Sequence, residues 1–373
     1  MRIIQILNTL NWSAASDYCV GVSAELIRLG HEVLIITQPG YALDHIKQMG
    51  LPYDDSINFS LKSPLSYVAA VKRFKRIYKD FKPDIVSAHM NHNAWLPGFI
   101  SKICMPKVVV ARVRTDIQPP NRHLLNLVVY HKLTDHVITG SEMHKKVCQR
   151  NLFLSDDKID VIYGSVDTEK FHPELSSPII REQLGASEDD FLMCLVGRLS
   201  PIKGHEYALK TVSLLKDLPR KVKLVCPGWA AQRDYDWLRG EAERLGVSDR
   251  LIPVEGFNEN LPTLLASMDL GIITSIGSEA NSRATLEYMA SGLPVVGTSV
   301  GVIPEIIENG KTGFVVEHSN PEAMAGKIKY LLQNPEILKQ MGIASRERIE
   351  EKFTLKQFGR QTEAVYKKLL SQK

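Results

Sequence analysis

The stretch Gly277-Ser278-Glu279-Ala280-Asn281-Ser282-Arg283-Ala284-Thr285-Leu286-Glu287-Tyr288-Met289-Ala290-Ser291-Gly292-Leu293-Pro294-Val295-Val296-Gly297 opens after one apolar run, Leu270–Thr274, and closes on another, Pro294–Gly297. Strand, polar loop, helix from about Ser282 to Ser291, and strand again make one βαβ unit. The rhythm continues in both directions. Phe191–Val196, Val222–Cys226 and Leu251–Val254 come before it and Gly313–Val316 after it. Earlier still stand Ile3–Leu7, Val33–Thr37, Asp84–Ala88, Val108–Ala111 and His136–Thr139, with helical spacing at Ser23–Leu29, Ser66–Phe81 and Glu142–Leu152. Leu29-Gly30-His31 reads as a helix end, glycine closing the helix just before the next strand. Such alternation predicts an α/β fold with parallel sheets covered on both faces. The rhythm breaks over residues 163–178, a run of turn residues that reads as a linker. Two Rossmann-like, doubly wound domains follow, about 1–165 and 175–350, each binding ligands beyond the carboxyl ends of its strands. The segment Asn334–Lys373 is strandless and rich in helix formers.

With 373 residues, 44% hydrophobic and 24% charged, the chain suits two domains. It has no apolar run long enough to span a bilayer, and Met1–Leu7 reads as a strand rather than a signal peptide. Five scattered cysteines without paired spacing fit a reduced, cytoplasmic setting and give no metal site. A net charge of +4 is too small to argue for nucleic acid. The excess lies in the N-terminal half, much of it in Val71–Lys79.

In the opening stretch Glu279 falls in the loop and Glu287 about one turn into the helix. Amides around Asn281, Ser282 and Arg283, with the helix dipole, suit a diphosphate. A carboxylate such as Glu287 can take two hydrogen bonds from vicinal hydroxyls. A second strand-turn-helix, Leu195-Val196-Gly197-Arg198-Leu199-Ser200-Pro201-Ile202-Lys203-Gly204-His205-Glu206, projects Arg198 and Lys203 from one strand end, the makings of an anion site. Spacing alone leaves the alternative open that these are ordinary surface glutamates and cations.

Together the two stretches resemble the C-terminal domain of family-4 retaining glycosyltransferases of the GT-B fold. That family reads G-R-L-x-x-x-K-G, then E-G-F-G-L-P-x-x-E-A-M-A-x-G-x-P-V-V, then a G-G-x-x-E turn. Here the matching runs are Gly197–Gly204, Glu279–Val296 and Gly301-Val302-Ile303-Pro304-Glu305. The resemblance implies two facing domains, the N-terminal for acceptor and the C-terminal for donor, with a last helix (about Thr354–Leu370) crossing back to complete the first. It implies transfer of a sugar, with retention, from a nucleotide-diphosphate donor of the UDP or GDP type to a cell-envelope polysaccharide or lipid-linked acceptor, with no cofactor and no metal. Arg198 and Lys203 would hold the diphosphate and neutralise the leaving group. Glu287 would hold the ribose, and Glu279 would lie against the donor sugar. Amides at Asn281, Ser282 and Arg283 would contact sugar or phosphate, and Gly256 and Phe257 would lie near the base.

The family's Gly-Phe-Gly-Leu-Pro is Ala280-Asn281-Ser282-Arg283-Ala284 here, which predicts a reshaped donor-sugar pocket. The glycine pair expected after the first strand is Ser13-Ala14-Ala15-Ser16. An active-site histidine has two places for a counterpart: His89 or His92 after the fourth strand, and the neighbourhood of Arg114 and Asp116 after the fifth. His89 is the chosen candidate, beside the alternative of a structural histidine. Two rival readings stay open, a sugar-nucleotide epimerase or phosphorylase on the same architecture and a non-catalytic nucleotide-sugar-binding protein. Asp234-Tyr235-Asp236 is a D-x-D, but its surroundings read as a surface helix. In Ser66–Phe81, Val68, Val71, Phe74, Tyr78 and Phe81 form an inner stripe, leaving five cations outside. That helix suits either solvent or peripheral contact with an anionic membrane.

Overall fold

The structure, a computed structural model, describes all residues except 10–12, 58–62, 90–94, 116–118, 257–259 and 278. It divides into unit 1, Met1–Ser165 with Leu355–Lys373, and unit 2, Val166–Thr354. Unit 1 holds strands β1 (Arg2–Ile6), β2 (Glu32–Ile36), β3 (Tyr53–Asp54), β4 (Ile85–Ala88), β5 (Val109–Arg114), β6 (His136–Thr139) and β7 (Ile159–Val161). They pair in the order β3-β2-β1-β4-β5-β6-β7, all parallel. Unit 2 holds β8 (Phe191–Cys194), β9 (Val222–Gly228), β10 (Leu251–Glu255), β11 (Leu270–Ile273), β12 (Val295–Thr298) and β13 (Gly313–Val316), in the order β10-β9-β8-β11-β12-β13 and again parallel. Each chain path reverses after its third strand. The switch points, where such folds bind ligands, therefore lie between β1 and β4 and between β8 and β11.

The first helix, Ala14–Arg28, starts well before the spacing of Ser23–Leu29 shows. Its start is fixed by a reciprocal capping box: Ser13 Oγ accepts from the Ser16 amide at 3.3 Å, and Ser16 Oγ accepts from the Ser13 amide at 3.2 Å. The serines that stand in place of the family glycines thus cap a helix. Tyr18, Val22 and Leu26 share a core cluster with Phe358, Tyr366 and Leu369 of the last helix, Leu355–Ser371. Gly359 permits the approach, since a Cβ there would sit 2.5 Å from Glu25 Cβ. In the helix Pro64–Phe81, Phe74, Ile77 and Tyr78 are buried in the core, but Val68 is 51% exposed. The inner stripe meets the sheet only from Ala70 onward.

In unit 2, residues 166–175, which lie in the stretch read above as linker, are tied down by hydrogen bonds from backbone and from Arg346. Val166 N donates to Phe353 O at 2.9 Å. Arg346 donates to the carbonyls of Phe171 (2.7 Å), Ala290 (2.8 Å) and Thr168 (3.2 Å). The D-x-D stretch is a helix start: Asp234 caps Tyr235–Arg244 by accepting from Trp237 N at 2.8 Å, and the exposed Asp236 pairs with Arg239. Among the described residues no helix is long and apolar enough to cross a membrane.

Candidate active site

The two stretches quoted above meet at the β8–β11 switch point. After β8 the chain passes Gly197 and the exposed Arg198, makes a 3-10 turn at Pro201–Lys203, and enters the helix His205–Leu214 through Gly204. Gly204 has φ +68°, and a Cβ there would lie 2.1 Å from Thr274 O, so only glycine lets this turn sit on the end of β11. Thr274 Oγ1 donates to Lys203 O at 2.9 Å, and Ile276 N donates to Ile202 O at 3.0 Å. The stem of Lys203 lies along Gly197, and its ammonium donates to Glu279 Oε1 at 2.5 Å.

Glu279 is 4% exposed, and its Oε1 also accepts from Ser275 Oγ at 2.6 Å. Among the described residues both contacts converge on Oε1. A buried carboxylate needs such partners, so the reading of Glu279 as a solvated loop residue falls. Glu287 is 6% exposed and accepts from Arg283 Nη2 at 3.0 Å through its Oε1; it too is no surface helix residue. The backbone of Glu279 is held by the Gly301–Glu305 turn. Val302 N donates to Glu279 O at 2.9 Å, and Gly301 (φ +58°) leaves no room for a Cβ, which would fall 2.0 Å from that same oxygen.

Asn281 and Ser282 are both buried at the start of the helix Arg283–Ala290. Ser282 adopts the left-handed region, φ 41° and ψ 56°, and its Oγ lies 2.8 Å from Thr285 Oγ1. The turn that glycine would make freely is kept by a serine at a cost of about 1–2 kcal/mol.

Three of these partners escaped the sequence reading: Ser275, the Gly301 contact, and Tyr288, whose hydroxyl accepts from Val196 N at 2.6 Å and locks the helix to the end of β8. Tyr288 leaves a trace in the sequence, since a Cβ on Gly271 would lie 2.5 Å from its ring. Gly256 (φ +81°) ends β10 and donates to Gly228 O at 2.6 Å; Phe257 lies outside the described residues.

In unit 1, His89 ends β4 at 3% exposure, its Nε2 2.7 Å from Gln5 Oε1 and 3.4 Å from Ser87 Oγ. Arg112 and Arg114 are buried on β5. Arg112 lies over the Tyr130 ring at 4.8 Å, and Arg114 donates to the Tyr130 hydroxyl at 2.7 Å. His92 and Asp116 lie outside the described residues. Within unit 2 Lys203, Ser275 and Glu279 come together, as do Arg283 and Glu287, while His89 belongs to the other unit.

Burial pulls His89 down to about 3. His205, 1% exposed, is lowered to about 4 by burial and then by Lys203 and Arg233. Unfolded, both titrate near pH 6.5. Below that value the unfolded chain binds more protons, so this stability is complete above about pH 6.5 and is lost as pH falls toward the folded values, by roughly 2 kcal/mol per histidine at about pH 5. Melting temperatures measured from about pH 7 to about pH 5 should fall less steeply in His89→Gln and His205→Gln than in the unaltered chain. Parallel slopes in all three would refute the assignment.

Comparison with known proteins agrees with this geometry. Residues 176–348 match the family model for glycosyl transferases group 1, and residues 15–170 that for Glycosyltransferase Family 4. An uncharacterized glycosyltransferase of Methanocaldococcus jannaschii is 24% identical over 94% of this chain and 93% of its own length. The N-acetyl-alpha-D-glucosaminyl L-malate synthase of Bacillus anthracis is 25% identical over 92% and 90%. Among solved structures, a Rickettsia africae glycosyltransferase superimposes with a TM-score of 0.91 at 23% identity, covering 100% of this chain and 99% of that one. Anabaena Alr3699/HepE in complex with UDP gives 0.86 at 20%, covering 99% and 100%. The chain belongs to the group 1, family 4 glycosyltransferases, with the GT-B fold. It is accordingly an enzyme that transfers glycosyl groups.

Proposed function

We propose that this transferase moves a sugar from a UDP- or GDP-type donor to a cell-envelope polysaccharide or lipid-linked acceptor, with retention and without a divalent metal. The observation that carries the reading is the join of two loops at one switch point, Lys203 and Ser275 both donating to the buried Glu279. The Anabaena complexes with UDP and with UDP-glucose support a nucleotide-sugar donor. In this reading the donor diphosphate lies between Arg198, the Lys203 ammonium and the first turn of the helix Arg283–Ala290. Glu287 Oε2 takes a ribose hydroxyl, and Glu279 Oε2 and Asn281 face the donor sugar.

As the bond between the anomeric carbon and the phosphate oxygen breaks, negative charge gathers on the diphosphate, and Arg198 and Lys203 neutralise it from fixed positions. The acceptor hydroxyl attacks from the face the diphosphate leaves and passes its proton to a phosphate oxygen, which retains the configuration without a covalent enzyme intermediate. His89, neutral in its buried setting, serves in unit 1 as a hydrogen-bonding group. The protein works in the cytoplasm, peripheral to the inner face of the membrane when its acceptor is lipid-linked.

Calorimetric titration of UDP, GDP and ADP with EDTA present tests the donor half. One diphosphate should bind, and Glu287→Ala and Lys203→Ala should each weaken it about tenfold or more. Binding that ignores both changes, or no binding, overturns the assignment. Turnover of a donor sugar with no acceptor would favour the epimerase reading.

A further inference from the structure

Trp229 is the first residue after β9, and it is 49% exposed. The other tryptophan of unit 2, Trp237, is spent on Arg233, whose guanidinium lies over its ring at 3.9 Å. Strand register fixes where Trp229 stands. β8 and β9 pair with Cys194 opposite Val225, and past the strand ends Leu199 bridges Ala230 in the same register. Arg198 is therefore opposite Trp229. On the other side β10 pairs with Glu255 opposite Gly228, which sets Gly256 opposite Trp229. Gly256, Trp229 and Arg198 thus form one row across the carboxyl edge. β11, followed by Ser275 and Glu279, lies on the far side of Arg198.

The backbone of this row is held from several directions. Gly228 presses on the neighbouring turn so closely that a Cβ would lie 1.9 Å from Gly197 O. Leu199 N donates to Trp229 O at 2.8 Å. The hydroxyl of the buried Tyr235 is shared between Gly228 O at 2.9 Å and Val254 O at 2.8 Å, joining the ends of β9 and β10. Beside the indole Gly256 carries no side chain, and a Cβ there would meet no described atom within 4 Å. An aromatic ring on a fixed backbone, half exposed and with open space at one side, is built as a stacking platform rather than as core.

We infer that Trp229 holds the nucleobase of the donor by stacking on its face. The inference rests on the donor-site reading, in which Arg198 takes the diphosphate and Glu287 a ribose hydroxyl. Tyr288, next to Glu287, bonds to Val196 N just past the end of β8, so the ribose is placed above β8 along with the diphosphate. Neighbouring strands are about 4.8 Å apart, a step that a ribose bridges. The base then falls on β9, over Trp229 and into the space at Gly256. Every base has a π face, so the stack does not choose among uracil, guanine and adenine. It chooses the class of donor: a nucleotide sugar gains from the indole, whereas a sugar phosphate or a lipid-pyrophosphate sugar has no planar ring to lay on it.

The test is calorimetric titration of the full chain with UDP, GDP and inorganic pyrophosphate, EDTA present, on the parent, Trp229→Ala and Trp229→Phe, with Lys203→Ala as the reference for the diphosphate. Trp229→Ala should weaken the nucleotide that binds by about tenfold or more. Trp229→Phe should keep most of the affinity, and pyrophosphate should bind all three alike. Nucleotide should also quench the tryptophan fluorescence of the parent, and Trp229→Phe should abolish the quench. Both variants should melt as the parent does, since the indole is half exposed. Nucleotide affinity unchanged in Trp229→Ala overturns the inference, as does a quench that Trp229→Phe keeps. So does pyrophosphate weakened as far as nucleotide, since the indole would then only prop the Arg198 turn. Failure of the stack alone leaves nucleotide binding sensitive to Lys203→Ala, whereas a parent that binds no nucleotide overturns the donor site and the stack with it.

Discussion

Lys203→Met should lower kcat by about a hundredfold to a thousandfold, the scale of losing one preorganised electrostatic donor to a leaving group. The same change should also cost stability, because Glu279 would stay buried with Ser275 as its remaining described partner. These two effects separate in a double variant. Adding Glu279→Gln removes the stranded charge, so the melting temperature of Lys203→Met, Glu279→Gln should recover most of what the single change lost, while kcat stays low. If kcat recovers with stability, Lys203 only supports the loop and the catalytic role is wrong. Full activity in Lys203→Met would remove the residue from the mechanism altogether.

Gly301→Ala should be among the most damaging single methyls in unit 2. The position has φ +58°, costing an L-residue about 1–2 kcal/mol. The added Cβ would also lie 2.0 Å from Glu279 O, a backbone atom that cannot swing aside. A loss of roughly 3–5 kcal/mol is expected, with donor binding weakened because Glu279 is displaced. Gly310→Ala is the control, since its φ of +84° is also left-handed but nothing lies within 4 Å of its Cβ. It should cost about 1 kcal/mol and leave binding alone. Equal losses at the two glycines, measured by denaturant unfolding and nucleotide titration, would show that the Glu279 collision is relieved by backbone movement.

Much of this architecture could be read from the sequence because buried parallel strands are apolar runs separated by helices of one period. What escaped had little pattern to read. β3 has two residues and β7 three, too short for any alternation. The start of Ala14–Arg28 is written in two serines, and its first turns carry no apolar period. The sequence marks Glu279 and Lys203 individually, but their 2.5 Å pairing spans 76 residues of chain. It follows from β8 lying beside β11, a neighbour relation set by the crossover after β10. Nor does a glutamate in a polar loop declare its burial, which comes from a turn at Gly301 that only the fold brings near. The helix Pro64–Phe81 shows the reverse case: its period was plain, but the period does not tell where along the helix the sheet begins.

The last helix belongs to a unit whose other elements are all encoded before residue 166. On the ribosome, Tyr18, Val22 and Leu26 emerge long before Phe358, Tyr366 and Leu369, the side chains that cover them. Roughly 190 residues of unit 2 are made in between, about 10–40 s at ordinary elongation rates. For that interval the nascent unit 1 keeps an oily flank bare, a natural landing place for a chaperone. Unit 2 can finish folding while unit 1 still waits for its last helix. Synthesis of the last helix, rather than folding of the elements before residue 166, then licenses the enzyme to act.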